Sequence, residues 1–180
     1  MFIKINSIYD LISLYSLFIN IFAVYTFDVT LCVGIFLCVF FQDFFKECTN
    51  GLYPPIFKRP NGAMNCNLFN TGGLVDHKSG FPSGHVTVAA FFSTMLILRK
   101  DITDIKTMFY YNIPVVLMGY ARIMKGCHNF IQVFVGYVLG YTLAIIADYV
   151  ELQYHKYLLS IDNKKEIKDN VLQDSSIAEF

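Results

Sequence analysis

The sequence predicts an all-α integral membrane helical bundle with about five transmembrane helices. Three observations lead there. The chain is 55% hydrophobic and 17% aromatic, with a mean hydropathy of +0.47. Only 16% of its residues are charged, against about 25% in soluble domains. Apolar runs of near-spanning length recur along it, separated by charges and turn residues. Its 180 residues are enough for one domain. We expect residues 1–150 to form the transmembrane domain and 151–180 a polar, flexible tail.

The first run, residues 11–27, carries no charge and lies between Asp10 and Asp28. The second, 29–45, follows at once, so Asp28 must sit in a tight turn. A spanning helix needs roughly 17–25 residues, which both just satisfy. Residues 46–80 differ in kind, with Gly51, Pro54, Pro55, Pro60, Gly62, Gly72 and Gly73 among five asparagines. That is turn chemistry, and a loop this long is commonly functional. The third span, 81–98, is stopped by Arg99 and Lys100. The fourth, 107–121, should bend at Pro114. A brief loop from Arg122 to Cys127 precedes the fifth, 128–147, which Asp148 ends.

A formal net charge of zero gives no electrostatic case for nucleic acid. Without Trp, an interfacial belt falls to Tyr and Phe. The five cysteines show no zinc spacing; Cys32 and Cys38 read as packing residues. A disulfide among Cys48, Cys66 and Cys127 is compatible with an oxidising side of the membrane, its pairing left open. The start lacks the features of a cleavable signal peptide.

Five spans put the 46–80 loop, the start of the third span and the Arg122–His128 segment on one side. Setting aside Lys58, Arg59 and Arg122 as ligand groups, the remaining basic residues favour a cytosolic tail. The loop side is then lumenal or external. Ionisable groups gathered at span ends mark a functional site by default. Arg59 and Arg122 offer planar forks for phosphate oxygens. Ser83, Gly84 and His85 open a helix whose free amides and positive dipole end suit an anion. His85 and His128 supply an acid/base or nucleophilic pair that phosphoryl chemistry can use without a metal.

Arg59-Pro60, then Pro82-Ser83-Gly84-His85, then Arg122-x5-His128 with a polar residue four later, resembles the type 2 phosphatidic acid phosphatase (PAP2) superfamily. The resemblance covers residues 46–147 and implies a metal- and cofactor-independent phosphatase of lipid phosphates or diphosphates. It makes His128 the nucleophile that becomes phosphorylated and His85 the general acid. Arg59, Arg122, Ser83 and Gly84 would hold the phosphoryl oxygens. Leu52 stands where the family carries Lys, so Lys46 or Lys58 is needed as a substitute. Gln132 stands where it usually carries Asp, and its amide oxygen can fix the His128 tautomer. Gln132→Asp is expected to preserve or raise activity if the amide only orients the ring. His128, Gln132, Val133 and Gly136 resemble the endoplasmic-reticulum branch that includes dolichyl diphosphatases and glucose-6-phosphatases. The short chain favours the first, with a polyprenyl diphosphate entering from the bilayer. A phosphatidate-type enzyme, a glucose-6-phosphatase-like enzyme and an inactive phosphate-binding scaffold are the alternatives.

Overall fold

The computed structural model describes residues 5–52 and 54–177, and helices dominate it. In chain order they are α1 (Ile8–Ser13), α2 (Tyr15–Tyr25), α3 (Val29–Thr49), α4 (Gly84–Arg99), α5 (Ile105–Met124) and α6 (Phe130–Ile177). The described residues contain no strand, only the isolated bridges Lys58–Ser79 and Met64–Leu74. The first run is a broken rod, because Leu14 interrupts it between α1 and α2. Five helical rods therefore make up the bundle. Three stretches are long and apolar enough to cross a membrane among the described residues: Ile8–Tyr25, Val29–Thr49 and Phe130–Lys165. Their outer faces present Phe18, Phe36, Phe40, Phe134 and Tyr141, an apolar surface suited to lipid.

The chain's own chemistry sets the helix starts. Ser7 and Asp10 form a reciprocal capping box on α1. Asp28 and Asp104 accept amide bonds at the starts of α3 and α5. Helix α4, only 16 residues long, is the hub and touches α2, α3, α5 and α6. Val86, Ala89, Ala90, Phe91 and Met95 on it are buried. It meets α6 backbone to backbone. A Cβ on Gly136 would lie 2.6 Å from the Ser83 carbonyl oxygen, and one on Gly140 would run into that of Thr87. Small residues at this spacing let two membrane helices approach closely.

One expectation is corrected. Arg122 is not in a loop: α5 continues past residue 121 to Met124, with Lys125 as its C-cap, and Gly126 follows with a φ of +65° that suits glycine. Helix α6 runs on to Ile177, with no Gly or Pro after Gly140 to stop it. At that end Arg99 binds both Asp28 and Glu151, tying the α2–α3 turn, α4 and α6 together. At the opposite end the long loop folds over the bundle. Asn70 donates to the Asp10 carbonyl at 3.0 Å and accepts from Lys125 at 2.8 Å. A Cys66–Cys127 disulfide staples the loop to the α5–α6 connection.

Candidate active site

A cavity of about 370 Å³ opens beneath that loop. Its walls come from α2, α3, the loop, the start of α4 and His128 just before α6. Lys46, Arg59, Gly84, His85 and His128 all line it, so segments distant in sequence meet in one place.

His128 precedes α6 and is 2% exposed. Its Nδ1 lies 2.9 Å from the Gly80 carbonyl oxygen and 3.1 Å from Gln132 Oε1. Both partners are acceptors, so Nδ1 carries the proton and Nε2 keeps its lone pair. The Gln132 amide cannot be the other way round, because its Nε2 donates to the Ile56 and Lys58 carbonyls at 2.9 and 2.8 Å. The side chain also belongs to a helix cap. Gln132 N donates to Asn129 Oδ1, and Asn129 N donates to Gln132 Oε1, the reciprocal pattern of a capping box. Burial, then the cations Arg122, Arg59 and Lys46, hold the imidazole well below its usual range.

Arg59 Nη1 donates to the Cys127 carbonyl at 3.0 Å and lies 3.5 Å from His128 Nε2. Arg122 is fully buried in the last turn of α5. It donates to the Cys66 carbonyl at 2.6 Å and meets Ser13 Oγ at 3.4 Å, so it stands behind the cavity wall. Each arginine is thus held by the carbonyl of one half of the disulfide. Lys46, in the last turn of α3, pairs with exposed Asp43 at 3.0 Å and reaches the cavity.

Lys58 is corrected as a cavity residue. It lines a different recess, with Pro55, Asn61, Asp76 and Asn129. Its extended backbone, bridged to Ser79, turns neighbouring side chains to opposite sides, and Arg59 takes the inward one. Ser83 occupies the N-cap position of α4, but its hydroxyl makes no capping bond. Its amide instead donates to the Gln132 carbonyl at 3.0 Å, joining the head of α4 to that of α6. Gly84 leaves room for the Gln42 amide, into which a Cβ would fall.

Among the described residues, the buried side-chain polar atoms without a partner are Gln42 Oε1, Arg59 Nε, Ser83 Oγ, His85 Nε2 and Arg122 Nε. All five belong to this region. Native interiors satisfy such atoms, and a cluster left open is a place for a polar ligand. Sequence reasoning missed Gln42, Ser16 and Asn20, which also line the cavity. Their signal was polarity inside apolar runs. Asn129 was missed as well, though Asn-x-x-Gln is a capping pattern.

The PAP2 superfamily model matches residues 28–154. The chain belongs to that superfamily. A dihydrosphingosine 1-phosphate phosphatase of Schizosaccharomyces pombe is 29% identical over 131 residues, covering 67% of this chain and 29% of that relative. The chain thus aligns with less than a third of the relative's length. No solved structure matches it. Within this PAP2 chain, Arg59, His85, Arg122 and His128 all fall inside the matched segment. Ser16 and Asn20, which line the cavity from the first rod, and Ser13, which meets Arg122 behind it, lie before the matched segment.

Proposed function

We propose that this chain is a membrane phosphatase that hydrolyses a lipid phosphate without a metal, through a phosphohistidine. The observation that carries the reading is the meeting of Lys46, Arg59, His85 and His128 on one cavity, where the unpartnered buried polar atoms gather. Lys46 and Arg59 neutralise the phosphoryl oxygens, with Arg122 adding its charge from behind. The lone pair on His128 Nε2 attacks phosphorus as the ester P–O bond breaks. His85 gives its proton to the leaving alkoxide, which departs as the lipid alcohol. It then takes a proton from water, whose oxygen displaces His128 and releases inorganic phosphate.

The relative acts, by its name, on a sphingoid-base phosphate, which supports a lipid monoester as the substrate here. A polyprenyl diphosphate is the second reading, favoured by the His128–Gln132 pattern. The disulfide beside the site supports a lumenal or exoplasmic active face, since such bonds persist in oxidising compartments. The resemblance of His128, Gln132, Val133 and Gly136 to the endoplasmic-reticulum branch supports that membrane.

The test is phosphate release from lipid monophosphates, lipid diphosphates and glucose 6-phosphate, with chelator present, together with acid-labile labelling of the protein. Release that His128→Ala abolishes supports the proposal. Phosphate binding without turnover would make the chain a scaffold.

A further inference from the structure

The cavity is not lined alike from top to bottom. Lys46, Gln42 and Val39 follow one stripe of α3, spaced by four and three residues, so the lining descends about 10 Å along that helix. Ser16 and Asn20 make a parallel stripe on α2, and on α4 His85 is followed one turn down by Val88. On the helices, cations and imidazoles form the rim, Ser16, Asn20 and Gln42 a middle layer, and Val39 and Val88 the lower wall. Asn67, Leu68, Thr71 and Val75 of the loop roof the cavity.

The middle layer is rich in acceptors. Ser16 Oγ–H donates to the Ser13 carbonyl at 3.1 Å, and Asn20 Nδ2 donates to the Ser16 carbonyl at 2.6 Å. Lone pairs on Ser16 Oγ and Asn20 Oδ1 are left, together with Gln42 Oε1, which is buried with no partner. Among the described residues, no carboxylate lines the cavity. Phosphate oxygens are acceptors too, so these groups suit a different part of the substrate.

We infer that Ser16, Asn20 and Gln42 form a subsite for hydroxyl or amino groups on the carbons next to the phosphate ester of a lipid. One helix turn, about 5 Å, matches the reach from phosphorus to the second or third carbon. A donor there satisfies Gln42 Oε1. A polyprenyl phosphate, with no donor near its ester, leaves that oxygen buried and unpaired, which a hydrogen-bonding site penalises. Ser16 and Asn20 precede the superfamily match, so this selectivity is carried partly by the chain's first rod. The inference rests on the phosphatase reading above and names its substrate class.

The experiment measures kcat/KM of the full chain in detergent, with chelator, on three probes. Sphinganine 1-phosphate carries an amine and a hydroxyl, lysophosphatidate a hydroxyl alone, and a polyprenyl phosphate neither. At least tenfold preference for the first two over the third is expected. Asn20→Leu and Gln42→Met should each cut kcat/KM on the donor-bearing probes about 5–10-fold, mainly through KM. The preference should shrink accordingly. Loss with Asn20→Leu on the first probe alone assigns that residue to the amine. Equal hydrolysis of the polyprenyl phosphate overturns the inference. So does an equal proportional loss on all three probes in variants whose melting temperature is unchanged. Turnover of none of the three is a different result: it sinks the phosphatase reading, and this subsite with it.

Discussion

Gln132→Met removes an amide while keeping the length and rough volume of the side chain. Gln132 is fully buried and makes four side-chain hydrogen bonds, to the Ile56 and Lys58 carbonyls, Asn129 N and His128 Nδ1. At about 1 kcal/mol net for each, the loss comes to ~3–4 kcal/mol. Some groups keep a second partner. Ile56 O retains Asn129 Nδ2 at 3.3 Å, and His128 Nδ1 retains Gly80 O at 2.9 Å. The tautomer therefore survives, while the loop that carries Arg59 is loosened. The expected signature is a melting temperature in detergent lowered by on the order of 10 °C. KM should rise more than kcat falls. A shift under about 3 °C would refute the reasoning, because the amide would not then be holding the loop. Gln132→Asp should fare no better, since a shorter carboxylate cannot donate to two carbonyls. That reverses the expectation drawn from sequence.

Lys46→Ala should raise KM for a lipid phosphate about tenfold or more, as loss of a charge-assisted contact does, whereas Lys58→Ala should stay within about twofold; equal effects would return Lys58 to the site. Gly84→Ala puts a methyl group where the Gln42 amide sits. The flexible amide yields, so activity should drop with little change in unfolding, and a collapse of the fold would contradict this. Cys127→Ser, or a reductant, should cost about 4 kcal/mol for a closure across 61 residues, read as a lower melting temperature. Identical melting with and without reductant would rule the staple out. The depressed pKa of His128 means that the unfolded chain takes up a proton first. The stability this contributes is complete above about pH 6.5 and is lost as the pH falls below that value. Unfolding midpoints compared at pH 7.5 and 5 should show the loss, and His128→Asn should flatten part of it. A flat wild-type profile would contradict the burial of a neutral ring.

The bundle was legible because its signals are local: apolar runs bounded by Asp28, Arg99 and Asp104. The break at Leu14 was not, since Leu is ordinary inside a helix and only the fold shows the interruption. The continuation of α6 past residue 150 is seen only in the fold. Yet Leu, Lys and Glu are good helix formers, and no breaker intervenes. Motif spacing singled out Arg59, His85, Arg122 and His128, of which Arg59, His85 and His128 line the cavity and Arg122 stands behind it. Whether Lys46 or Lys58 faces the cavity depends on which way an extended loop turns, and that depends on contacts with Ser79 and Gln132 far along the chain. Gln132 showed one of its tasks in sequence, and the other two appear only when Ile56, Lys58 and Asn129 are brought alongside.

Gly136 and Gly140 have a reach beyond the contact they make. His85 rides on one rod and His128 stands at the head of another, and below them main chain rests on main chain. No rotamer change in that seam can spread the rods. The gap between the imidazoles behaves as a calliper locked two turns below His128 and within one turn of His85. A single methyl added at Gly140 would push against the Thr87 carbonyl and should therefore change the distance between the imidazoles.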